Sequence, residues 1–155
     1  NYVRKYEIKF ENNRTKKTDR NSSYYDEYED KVERINAEVI IANDSIRGKS
    51  TAPVKLVVVT LSKPVQDPDN VKVIGRKTFK VPSIEAKKSK VFKMEPVQLK
   101  YDNTGYVHGY KFQGYALYLV EGGEIVYSEY SSKTIEKKFG KRLFKAEKEQ
   151  LLIPN

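Results

Sequence analysis

"APVKLVVVTLS", Ala52 to Ser62, decides how the rest of the chain is read. In an extended backbone, successive side chains point to opposite faces. Val54, Leu56 and Val58 then share one face, and Val57, Val59 and Leu61 share the other. A strand apolar on both faces lies centrally, packed on each side. Outward from it the dominant period remains two. Tyr6, Ile8 and Phe10 alternate with Glu7 and Lys9, and Ile35, Ala37, Val39 and Ile41 alternate with Arg34, Asn36 and Glu38. Val71, Val73, Phe79 and Val81 continue the pattern, with a bulge or bend expected at Gly75. Val91 to Leu99 forms a weaker strand in which Pro96 marks an edge or a bulge.

Two regions break the alternation. Residues 11–31, rich in Asn, Ser, Thr and Asp, are expected to form a long polar loop, and "KPVQDPDN" to form a turn. Over about 133–148, Ile135, Phe139 and Leu143 recur at spacing four, with Ala146 three further on. That is the apolar stripe of a short amphipathic helix, weakened at Gly140 and expected to close one end of the fold. The whole chain, 1–155, is expected to be one mainly β domain, a sandwich of about seven or eight strands with a short C-terminal helix.

The run "INAEVIIANDSIRGKSTAPVKLVVVTLS", followed by "VPSIEAKKSKVFKMEP", resembles bacterial immunoglobulin-like adhesion or scaffold domains. The matching positions are Asn43, Ser45, Ile84, Ala86 and Ser89, over roughly the middle half of the chain. The tryptophan and the disulfide of antibody-type domains are both absent. The resemblance implies an immunoglobulin-like sandwich, export from the cytoplasm to periplasm, cell surface or medium, and a binding or scaffolding role.

Half of the chain's twelve tyrosines fall between Gly105 and Tyr130. With Gly122-Gly123 as a two-residue turn, Val120 is expected to face Ile125, Leu119 to face Val126, Tyr118 to face Tyr127 and Tyr115 to face Tyr130. Cross-strand aromatic pairing explains these four rings as sheet stabilisers, without a ligand. Tyr106 and Tyr110 flank the lone histidine, His108, on one face. They offer a shallow stacking platform for a sugar or peptide, or equally a ring cover over the core edge.

Catalytic chemistry has few footholds. One histidine and no cysteine leave no multi-ligand zinc site and no thiol nucleophile, and no Gly-x-Ser-x-Gly or full phosphate loop occurs. "DPDN" lacks the glycine and distal glutamate of a calcium loop. No metal and no cofactor is therefore expected, and the protein is read as a non-enzyme. A carboxylate-pair hydrolase stands as the second alternative, with "YYDEYED" supplying acids but no cleft. Asn13, Asn21 and Asn43 each open a formal glycosylation triplet.

The net charge of +9 raises the first alternative, a nucleic-acid-binding domain using Lys137, Lys138, Lys141, Arg142 and Lys145 on the terminal helix. The basic stretch up to Arg20 is followed by an acidic block from Asp26 to Glu33, and blocks of opposite sign can satisfy one another. A protein or glycan partner is therefore favoured over nucleic acid. No apolar run reaches the ~18 residues of a membrane helix. The chain opens on Asn1 rather than methionine, as a cleaved signal peptide or an excised domain would both produce.

Overall fold

Nine strands form among the residues that this computed structural model describes, namely 7–22, 27–44, 51–102 and 108–154, with side chains placed outside 13–30. β1 (Glu7–Ser22) and β2 (Glu27–Ala42) make one antiparallel hairpin, and β3 (Val54–Pro64) and β4 (Val71–Val81) a second. β7 (His108–Glu121) and β8 (Glu124–Tyr130) make a third. β5 (Ser89–Lys93), β6 (Val97–Asp102) and the short β9 (Leu151–Leu152) complete the set. The order is β1-β2-β6-β7-β3-β4-β9, with β5 also on β2 and β8 also on β7.

β7 joins the two halves of this sheet. Its first residues pair with β6, His108 opposite Asp102 and Gly109 opposite Tyr101. From Tyr110 onward it pairs with β3. Two local features allow the hand-over. Gly109 sits at φ +90°, and a Cβ there would collide with the backbone carbonyl of Lys100, so only glycine is free of strain at this point. A bulge follows, since Leu61 faces Gly114 but Ser62 faces Phe112, leaving Gln113 unopposed. Next to that bulge the Phe112 N–H donates to the Glu33 carboxylate of β2 at 2.7 Å. Glu33 is 1% exposed, so one half of the sheet reaches a buried acceptor across to a backbone donor of the other.

The central strand behaves as its pattern predicts. Val54, Leu56 and Val58 lie in a core shared with Ile8, Ile35, Val39, Ile41 and Leu117. The two halves of the sheet therefore face each other around that core, and Phe10 of β1 stacks on Tyr115 of β7 at 3.7 Å between ring centroids. Val57, Val59 and Leu61 belong to a second core on the outer side, closed by Ile135, Phe139, Leu143 and Ala146. The terminal segment thus covers a face of the sheet rather than an end. It is also not one helix over 133–148 but two short pieces, α1 (Lys133–Lys138) and α2 (Arg142–Lys145). Gly140 turns left-handed between them at φ +50°, while the four apolar side chains still reach the core.

Other expectations are corrected. The stretch 11–31 is no loop along most of its length, because residues 11–22 and 27–31 belong to β1 and β2. Those strands run on in register to Ser22 opposite Glu27. The residues of this extension carry no apolar alternation to read. The segment Val91 to Leu99 is two strands, parted at Glu95-Pro96, both on β2. The bulge expected at Gly75 is found beside it: Thr60 faces Gly75 and Leu61 faces Val73, so Ile74 is the extra residue.

The described part of the resemblance is a set of structural contacts. Asn43, 1% exposed, donates from Nδ2 to the Ile84 carbonyl at 2.8 Å. Ile84 N–H in turn donates to Thr51 Oγ1 at 2.9 Å. Asn43 is therefore a strand-end staple with no open side chain for a glycan. Ser45 lies outside the described residues.

The Glu33 contact makes a prediction. Glu33→Ala removes the side-chain acceptor of the part-buried Phe112 N–H and should cost about 1–3 kcal/mol, measured by urea unfolding. Glu33→Gln, whose amide oxygen still accepts, should lose distinctly less. An alanine variant as stable as the parent contradicts the role given to Glu33.

Candidate functional site: a lysine-flanked cleft at the strand ends

The tyrosine hairpin resolves first. Close to the Gly-Gly turn the pairing is as expected, Val120 opposite Ile125. Beyond it the register shifts by one, so Leu119 faces Tyr127, Tyr118 faces Ser128 and Ala116 faces Tyr130. Val126 is the extra residue, and a one-residue slip exchanges faces. Tyr127 consequently joins Tyr115 on the main core, and Tyr130 joins Tyr118 on the helix side. The expected pairs Tyr118–Tyr127 and Tyr115–Tyr130 are not formed. The structural role of the rings survives the correction. Tyr115 and Tyr127 both donate to the Glu129 carboxylate, at 3.1 and 2.9 Å. Tyr118 donates to the Gly140 carbonyl at 3.2 Å and meets Tyr130 and Phe144 edge-on.

These phenols are held neutral. Burial, reinforced by the neighbouring Glu129 carboxylate, pushes the Tyr115 hydroxyl up to about 12. Burial, with the Tyr130 hydroxyl beside it, raises Tyr118 further. Neither is a base or nucleophile near neutral pH.

The predicted platform is not placed as a unit, because Tyr106 lies outside the described residues. Tyr110 is half-buried against the main core, and Lys72 Nζ stands 4.6 Å from its ring centroid. His108 opens β7 opposite Asp102.

The basic terminal segment is divided in use. Lys138 pairs with Asp69 at 3.2 Å. Arg142 donates to the Lys138 and Ile153 carbonyls at 2.8 Å each, and its guanidinium lies over Phe139. Lys137, Lys141 and Lys145 are exposed. Of the five cations proposed for phosphate contact, two therefore act in holding the segment together. Among the described residues no group of three His, Asp or Glu side chains is placed to bind a metal, and no helix is long and apolar enough to cross a membrane.

Two concavities stand out among the described residues. One, of about 770 Å³, lies where β5 gives way to β6 and is of mixed polarity, with Glu11, Glu38, Lys93, Met94 and Pro96 on its walls. Glu11 is already paired with Lys9 at 2.9 Å. The other, of about 570 Å³, lies where β3 begins, β4 ends and β7 turns into β8. Pro53, Pro82, Val120 and Gly122 give it a mostly apolar lining, with Lys55 and Lys80 on the β3–β4 side and Glu121 on the hairpin side. Both lysines are exposed, and they face each other directly across the β3–β4 ladder. Like charges directly opposite in a sheet are destabilising. No carboxylate among the described residues forms an ion pair with either lysine.

None of these residues stands out by residue type, yet the sequence holds a signal for them. "PVK" at 53–55 is mirrored by "KVP" at 80–82. Antiparallel pairing of a triplet with its mirror image sets Val54 opposite Val81 and lysine opposite lysine. Only the pairing of β3 with β4 gives that symmetry meaning.

No family model and no curated protein matches the chain. Among solved structures, one from Akkermansia muciniphila aligns over 84% of this chain and 73% of that chain, at 8% identity and a TM-score of 0.33. An overlap that loose carries no argument about fold or function.

The raised phenols predict an alkaline limit. A group whose folded pKa lies above its ordinary value near 10 contributes stability that is complete below pH 10. That contribution is lost as pH rises from about 10 to about 12 for Tyr115. Chemical denaturation at stepped pH should show this fall, and Tyr115→Phe should flatten it. An equally steep fall in the phenylalanine variant contradicts the assignment.

Proposed function

We propose that the protein is a non-catalytic binding module, an immunoglobulin-like β-sandwich from an exported bacterial protein, which engages a macromolecular partner at the cleft between Lys55, Lys80 and Val120. The observation that carries the proposal is the cleft itself: an open, mostly apolar hollow whose two lysines outnumber its one carboxylate, Glu121, and form no ion pair among the described residues. The immunoglobulin-like assignment is supported by antiparallel halves facing each other around one core, and by the Asn43–Ile84 contact at two positions that carry the resemblance.

The non-catalytic reading is supported by how three polar side chains are used within the fold. Glu33 accepts from a backbone N–H, Glu129 takes two phenols, and Asn43 staples two segments. Nucleic acid is the second reading, resting on exposed Lys137, Lys141 and Lys145.

A photo-crosslinking residue placed at Val120, in cells of the native host, should capture a protein partner. Binding of that partner, once purified, should be lost on charge reversal in Lys55→Glu with Lys80→Glu. Lys137→Gln with Lys141→Gln and Lys145→Gln should leave partner binding intact. Loss of binding in the helix variant, with the cleft variant unaffected, would move the site to the terminal segment and favour the nucleic-acid reading.

A further inference from the structure

Resting on that reading, we infer that the cleft takes an acidic and apolar polypeptide segment, an apolar side chain seated between the prolines and a carboxylate between the two lysines. Three features fix the chemistry. The lining is mostly apolar, with the Glu121 carboxylate on the hairpin side away from the lysine pair in the ladder, so part of the occupant must be apolar too. Lys55 and Lys80 are ladder partners, whose Cα atoms stand about 4.5–5.5 Å apart in an antiparallel pair. One carboxylate can bridge two ammonium groups on such a base, and the bridge turns a mutual repulsion into a mutual attraction. Pro53 and Pro82, on the cleft walls, carry no N–H. A partner backbone therefore finds no donor at those two positions, and anion recognition falls to the ammonium groups.

The shape selects a polypeptide over a free small molecule. The hollow is open, formed by strand ends and a hairpin turn rather than by an enclosing wall. A small acid would stay half-solvated there, whereas a segment carried by a larger partner gains further contacts outside the cleft. The chain's net charge of +9 draws acidic partners in the same direction.

The test uses fluorescein-labelled dodecapeptides with capped ends, composed of leucine and glutamate, leucine and glutamine, or leucine and lysine, titrated with the intact chain. Anisotropy should show binding of the Leu/Glu peptide alone, weakened at least tenfold by Lys55→Gln and by Lys80→Gln, and weakened again by 0.5 M salt. Both variants should keep or raise the melting temperature, since each relieves a like-charge pair. Equal binding of the Leu/Gln peptide overturns the inference, as does unchanged affinity in both lysine variants. Equal competition by duplex DNA would reveal a general anion surface and overturns it too. If Val120 still captures a partner while the Leu/Glu peptide fails to bind, the acidic ligand class falls and the binding module stands.

Discussion

The fold depends on how one strand serves two partners. β7 leaves β6 after Gly109 and joins β3 from Tyr110, and a chain that changes partners must leave some backbone groups without a ladder neighbour. Burying such a group unpaired costs as much as a lost hydrogen bond or more. Glu33 meets that requirement at Phe112 with an acceptor supplied from the opposite half of the sheet. The same contact gives a buried carboxylate a donor, which offsets part of its desolvation. Because the two halves meet around the main core, this link lies between the layers rather than at their rim.

From that crossing follows the distribution of everything else. β7 carries both cores at once: Leu117 and Leu119 face the main core, Ala116 and Tyr118 the outer one. The outer core needs a lid, and the terminal segment supplies it with four apolar side chains over two short helices. At the far end of the same strands β3, β4 and β7 stop together at Pro53, Pro82 and the Gly-Gly turn, where the lysine-flanked hollow forms. The candidate site is thus a by-product of strand ends, placed by the register of β3 with β4 and not by a dedicated loop.

Legibility followed burial. Val54 to Leu61 announced a central strand because both its faces exclude water, and the stripe Ile135, Phe139, Leu143 and Ala146 announced a packed segment for the same reason. What escaped is governed by backbone pairing, which leaves little mark on residue type. The β1–β2 extension pairs in register along its length, yet its sequence is polar and carries no alternation. The shift at Val126 exchanged the faces of Tyr127 and Tyr130 and broke the expected Leu119–Val126 pair, although Val120 and Ile125 nearest the turn were correctly paired. Lys55 and Lys80 look like ordinary exposed cations until the ladder sets them side by side.

Native-state amide hydrogen exchange at Phe112 tests the central link most directly. The account predicts that this N–H exchanges only through global opening, with the same free energy as the amides of Val58 and Leu117 in the main core. Exchange orders of magnitude faster than those two, while the rest of β7 stays protected, would show that the crossing is not secured from the opposite half of the sheet.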